Sequence, residues 1–103
     1  MTNNIIVLNQ TNGDFIMAIK VEVFSTNSCP HCPAAIEAAQ VAKNELGDAI
    51  DVEIIKIDES AENRQRAIDY QIMAVPTIMI DGELGFLGAP MEGELLDKLK
   101  SLL

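Results

Sequence analysis

The chain has little of several things that a 103-residue protein commonly uses. It has no tryptophan, and its aromatic content is 4%. Its core must therefore be mostly Ile, Val, Leu and Ala. It has 7 Lys and Arg against 16 Asp and Glu, a formal net charge of −9. That balance repels nucleic acid and anionic membranes, so neither is an expected partner. The acidic side chains are expected on a solvated outer face. Within residues 1–15 the one apolar run is the four-residue Ile5–Leu8, too short for a signal-peptide core or a membrane span. A cytoplasmic location is the expectation. With 2 cysteines and 1 histidine there is no disulfide-stapled scaffold. The cysteines point instead to redox or metal chemistry.

Hydrophobic residues make up 49% of the chain, enough for one modest core, so one domain is expected. Residues 1–16 are rich in Asn and Thr and carry a Gly13-Asp14 turn signal. They are read as an N-terminal tail or a short added strand at Ile5–Leu8. Residues 17–103 carry the patterned domain, and Met17 is a second candidate start.

Ile19–Phe24 alternates Ile19, Val21 and Val23 with Lys20 and Glu22, and reads as a strand. Pro30–Leu46 is Ala-rich at helical spacing, with Pro30 near its start and Gly47 at its end. Asp51–Ile57 is a second strand. Ser60 caps a helix running to about Tyr70. Thr77–Ile80 and Leu84–Leu87 flank Asp81-Gly82, a hairpin turn pair. Glu92–Leu102 closes the chain as a helix. The order β-α-β-α-β-β-α gives an α/β fold. A right-handed βαβ unit is followed by a hairpin, making a mixed four-stranded sheet flanked by three helices.

The pair Cys29-Pro30-His31-Cys32 falls where the first strand meets the first helix. A thiolate is the attacking species in disulfide exchange. Free N–H groups and the macrodipole at a helix start favour that anion. Cys29, just before the helix or at its first residue, is expected to be the exposed, attacking sulfur. Cys32, one turn in, is expected to be buried and to resolve the mixed disulfide. Pro30 stiffens the intervening backbone. His31 has two readings: a cation that tunes the Cys29 thiolate, or a solvated spacer. A zinc site needs four ligands, and the chain offers Cys29, Cys32 and His31 only. A metal- or iron–sulfur-binding module that uses the CxxC pair, within one chain or between subunits, stands as the alternative from another class. Pro76 precedes an apolar strand, where a missing N–H is tolerated.

The segments CPHCPAA (29–35), YQIMAVPTIMIDGE (70–83) and FLGAP (86–90) resemble the small, glutaredoxin-sized thioredoxins of archaea, over roughly four-fifths of the chain. The resemblance implies a minimal thioredoxin fold and thiol–disulfide oxidoreductase activity that reduces protein disulfides. It implies Cys29 as nucleophile, Cys32 as resolving thiol and a cis bond at Val75-Pro76 beside them. Ala74, Val75, Gly88 and Ala89 would line a shallow groove for an extended client segment. Electrons would come from a thioredoxin reductase or a comparable donor. No cofactor is implied beyond the redox-active Cys29–Cys32 disulfide, and a monomer is expected.

Several departures from the pattern matter. The bacterial form has WCGPC where this chain has SCPHC, and a buried Asp where this chain has Val23. CPHC resembles the motif of strongly oxidising periplasmic thiol oxidases, so an oxidant or isomerase is the alternative within the class. Those proteins carry a large helical insertion, for which this chain has no room. Glutaredoxins use a Lys near the motif and a Gly-Gly…Asp segment for glutathione. Here Ser25–Ser28 and Gly85–Pro90 supply neither, so glutathione is not expected to bind. Gln71 stands where a helix-ending Gly is common, Met91 where a capping Ser or Thr is expected, and Pro33 removes an N–H from the first helical turn.

Overall fold

The computed structural model describes residues 18–103. The reading of residues 1–16 as tail or added strand lies outside them. The elements are β1 (Ile19–Ser25), α1 (Cys32–Leu46), β2 (Ile50–Lys56), α2 (Ala61–Asp69), β3 (Thr77–Ile80), β4 (Glu83–Leu87) and α3 (Glu94–Ser101). Short 3₁₀ turns at Gly47–Ala49 and Ile57–Glu59 lead into β2 and α2. The four strands form one sheet in the order β2-β1-β3-β4. β1 runs parallel to β2 and antiparallel to β3, and β3 and β4 form a hairpin. Element order and sheet type are those expected from the sequence.

Side-chain alternation divides β1 between two layers. Ile19, Val21 and Val23 pack with Ala35, Ala39 and Ala42 of α1 and with Leu95 and Leu99 of α3. Small alanines at i, i+4 and i+7 let α1 lie close on the sheet. Phe24 faces the other way and packs with Ile55, Ala67 of α2 and Met79. The Tyr70 ring meets Phe24 edge-on, with centroids 5.7 Å apart.

Local chemistry ends the elements where expected in most places. Gly47 closes α1 at φ 57°. Lys43 Nζ donates to the carbonyls of Gly47 (3.0 Å) and Ile50 (2.8 Å), where a cation suits a helix C-terminus. Ser60 Oγ accepts the Asn63 N–H at 3.0 Å and caps α2. Gln71 takes the left-handed conformation in place of glycine, at φ 59°. Asp81 (φ 51°) and Gly82 (φ 82°) give both turn residues the positive φ of a type I′ hairpin.

Four expectations are corrected. First, α1 begins at Cys32 rather than Pro30. His31 is the N-cap, and Pro33 sits in the first turn, where its missing N–H has no intrahelical partner to lose. Cys32 is thus the first helical residue and not one turn in. Second, Met91 is not the cap of α3. Gly93 is, and the Glu94 carboxylate turns back to accept the Met91 N–H at 2.9 Å. Third, β2 starts one residue earlier, at Ile50, and ends at Lys56. Fourth, Glu22 is not solvated.

Glu22 is 2% exposed although it alternates with apolar neighbours. Burying a carboxylate is tolerable only with partners. Arg66 Nη2 meets its Oε2 at 2.7 Å, and Tyr70 donates its hydroxyl to Oε1 at 2.8 Å. Arg66 Nη1 reaches on to Glu53 Oε2 at 2.8 Å. Glu22 and Glu53 are register partners on β1 and β2, so one guanidinium from α2 bridges two like charges. The cluster ties α2 to the sheet.

Tyr70→Phe removes one hydrogen bond to the buried carboxylate and should cost about 1–2 kcal/mol at neutral pH. The bond to Glu22, then burial, raise the phenol above its ordinary 10.0. A raised folded-state value means this stability is complete below pH 10 and fades as pH climbs through the higher value. Urea unfolding of both proteins should show a gap at pH 7 that narrows above pH 10. A gap that widens there contradicts the assignment.

Candidate active site

β1 ends at Ser25, which is fully buried. Residues 26–31 must turn the chain over the end of the sheet before α1 begins. Cys29 and Cys32 are joined by a disulfide, with Cα atoms 5.4 Å apart. Cys29 is half-buried, and Pro30 and His31 are exposed. Cys32 is 1% exposed. The N-cap His31 makes no side-chain capping bond, and no acidic residue stands in the first turn of α1. Neither a cap acceptor nor a carboxylate offsets the positive helix end there, which favours a sulfur anion.

The second half of the site arrives from β3. β3 is antiparallel to β1, and Phe24 pairs with Thr77. The residue before Thr77 therefore lies at the same sheet end as the disulfide. That residue is Pro76, buried, and the Val75-Pro76 bond is cis. Thr77 Oγ1 donates to the Ala74 carbonyl at 2.7 Å and closes the turn before it. The Gly88 N–H donates to the Pro76 carbonyl at 2.8 Å. Gly88 has φ +90°, a backbone that favours glycine. Ala74 and Ala89 are exposed, and Val75 and Gly88 half-buried. The residues expected around Cys29 thus gather at one end of the sheet. Two clefts flank them. One of about 340 Å³ lies between α1 and α3, lined by Ala34, Ala38, Pro90 and Met91. One of about 290 Å³ lies beneath Tyr70, Ala74, Leu84 and Leu87. Neither of these two clefts is lined by a cysteine.

Two features of the site, the clamp on Asn27 and the buried hydroxyl of Ser25, escape the sequence. Asn27 anchors the loop that carries Cys29. Its N–H donates to Asp58 Oδ2 (3.0 Å), its Nδ2 to Glu59 Oε2 (3.3 Å), and its Oδ1 accepts from Lys56 Nζ (3.1 Å). These partners lie about thirty residues away, a separation that no local pattern marks. Val23 is fully buried beneath α1, so no carboxylate occupies that point. The buried carboxylate of β1 is Glu22, on the opposite face. Ser25 is fully buried, and its hydroxyl is without a partner among the described residues.

Among the described residues no group of three or more His, Cys, Asp or Glu side chains is gathered to hold a metal. None of their helices is long and apolar enough to cross a membrane.

A βαβ unit and a hairpin, with a CxxC disulfide opening α1 and a cis-proline before β3, define the thioredoxin-fold class of thiol–disulfide oxidoreductases. A family model described as "Thioredoxin domain" matches residues 17–100. The thioredoxin of Methanocaldococcus jannaschii is 45% identical over 85 residues, covering 82% of this chain and 96% of that protein. A probable thioredoxin of Methanothermobacter marburgensis is 51% identical over 83 residues, 81% of this chain and 94% of its own length. The solution structure of reduced MJ0307 matches with TM-score 0.56 at 42% identity, covering 85% of this chain and all 100% of that one. A malaria parasite thioredoxin-2 shares the fold at TM-score 0.71 and 16% identity, over 82% of each chain. The chain belongs to the thioredoxin family, and it is a thiol–disulfide oxidoreductase acting through Cys29 and Cys32.

The Asp58 carboxylate is the acceptor for the Asn27 N–H. In Asp58→Ala, hydrogen exchange at the Asn27 amide should quicken about tenfold, the worth of one charge-assisted bond. The Ile78 amide in the sheet should be unchanged. Equal protection at Asn27 in both proteins would show that the clamp does not hold the loop.

Proposed function

We propose that the chain reduces protein disulfides by dithiol exchange, with Cys29 attacking and Cys32 resolving. The observation that carries this reading is the unequal exposure of the two sulfurs, Cys29 half-buried and Cys32 1% exposed. Only the outer sulfur is open to a client. The Cys29 thiolate attacks one client sulfur, forming a mixed disulfide and releasing the other as a thiol. Cys32 then attacks Cys29 Sγ, the Cys29–client bond breaks, and the client leaves with two electrons.

The client segment lies in extended form along Ala74, Val75, Gly88 and Ala89, with backbone groups beside Pro76 as its hydrogen-bonding edge. Pro30 keeps the two sulfurs in register and His31, exposed between them, modulates the attacking thiolate. The domain spans 17–103 and works as a cytoplasmic monomer. A thioredoxin reductase or comparable donor regenerates the dithiol. Glutathione is not the reductant, since the loop before Cys29 offers no Lys and the stretch after β4 no Gly-Gly…Asp. Nucleic acid and membranes are not partners of a chain with net charge −9.

Reduced protein should reduce insulin disulfides in the presence of dithiothreitol, and Cys29→Ser should abolish this. Cys32→Ser should instead accumulate mixed disulfides with client proteins. Full activity in Cys29→Ser would remove the mechanism. The direction of exchange is read from the reduction potential. A value near ~−270 mV fits a reductase, and one near ~−120 mV would mark an oxidant.

A further inference from the structure

Ser25 is the last residue of β1 and is fully buried. Its Oγ is the buried side-chain oxygen that lacks any hydrogen-bond partner among the described residues. Buried hydroxyls are rarely left this way, because the lost hydration is not replaced. The strand's alternation places Ser25 on the α1 face, two residues beyond Val23 and four beyond Val21. That face is covered by α1, whose first residue is Cys32, equally shut off from water. Ser25 and Cys32 therefore occupy the same layer at the same end of the sheet.

A sulfur bonded to sulfur carries neither charge nor proton and asks for little. Opening the bond changes that. Cys32 becomes a buried thiol, and it must become a buried thiolate before it can resolve a mixed disulfide. With Val23 underneath there is no carboxylate to assist. We propose that the Ser25 hydroxyl donates a hydrogen bond to Cys32 Sγ once the disulfide is open. Ser25 is thereby a positioning residue that holds the resolving sulfur as its thiolate.

The step balances without further reagents. Cys32 gives its proton to water, and its Sγ, held by Ser25 Oγ–H, attacks Cys29 Sγ. The Cys29–Cys32 bond forms as the Cys29–client bond breaks. The client sulfur leaves with the electron pair and takes a proton from water. Ser25 neither gains nor loses a proton.

The charged groups around this point are few. Lys56 is the register partner of Ser25 on β2, with its Nζ on Asn27. Asp58 and Glu59 are bound to Asn27. His31 precedes Cys32, and Glu37 and Glu92 flank the cleft between α1 and α3. From β3 and the turn before it come only Thr77, its hydroxyl on the Ala74 carbonyl, and uncharged residues. None of the carboxylates lies on the strand face that Ser25 and Val23 present to α1.

The proposal rests on Cys32 being the resolving thiol, and the test separates the two. In Cys29→Ser protein, Cys32 is the only thiol, and its thiolate absorbance can be titrated directly. Adding Ser25→Ala should raise the Cys32 midpoint by about one pH unit. Ser25→Thr, which keeps the hydroxyl, should restore it. In otherwise unaltered protein, Ser25→Ala should leave the oxidised form as stable as before or more so, since an unpartnered hydroxyl is gone, and should destabilise the reduced form. A purely structural role would move both forms in the same direction. A Cys32 midpoint unmoved by Ser25→Ala, or a parallel stability change in both redox states, overturns the proposal. Either result can be read whether or not the unaltered protein reduces insulin.

Discussion

The pairing of β1 with β3 at Phe24 and Thr77 is the constraint from which the site follows. β1 is held on both edges, by β2 in parallel and by β3 in antiparallel. Its C-terminal end is therefore fixed in the middle of the sheet, and the chain leaving it must rise over that end into α1. An antiparallel β3 begins where β1 finishes. The CxxC turn and the cis-proline turn, more than forty residues apart in the chain, are delivered to one place by this register. The Gly88–Pro76 hydrogen bond then brings the end of β4 to the same edge. No side chain at the site has to create this arrangement, because the backbone ladder already imposes it.

The register itself is protected by the two faces of β1. A slip of one residue would turn Val21 and Val23 away from α1 and drive Glu22 into the aliphatic layer. Glu22 instead meets the one place with a guanidinium and a phenol waiting, on α2. A buried, fully partnered carboxylate is weak evidence of stability, since an apolar replacement can do as well. Its value here is that it accepts only one face and one register. The three buried alanines of α1, Ala35, Ala39 and Ala42, serve the same end on the other side, since larger residues would lift the helix from the sheet.

Much of this was legible in the residues. Element order followed from periodicity and punctuation: Gly47, Ser60 and Asp81-Gly82 each ended or began an element as their chemistry requires. The CxxC pair was visible at a strand–helix junction. The cis bond was not readable from Pro76 alone, since only ~5–6% of X–Pro bonds are cis; it came from the resemblance to archaeal thioredoxins. Pro30 suggested the helix start because proline suits a first helical position, whereas α1 begins at Cys32 with Pro33 in its first turn. Glu22 looked like an outward charge because alternation gives a face, while only α2 packing decides whether that face is wet. Asn27 and Ser25 matter through partners, or the want of them, that are remote in sequence and set by tertiary structure.

The account assigns different work to two chemically identical side chains by burial and helix position. Cys29 precedes the helix and is reachable, whereas Cys32 is its first residue and is buried. The direct measurement is competitive alkylation of the reduced protein with substoichiometric iodoacetamide at neutral pH, with the modified cysteine located by mass spectrometry. The account predicts label on Cys29, with Cys32 spared until the protein is unfolded. Label divided evenly between them, or falling first on Cys32, would contradict it.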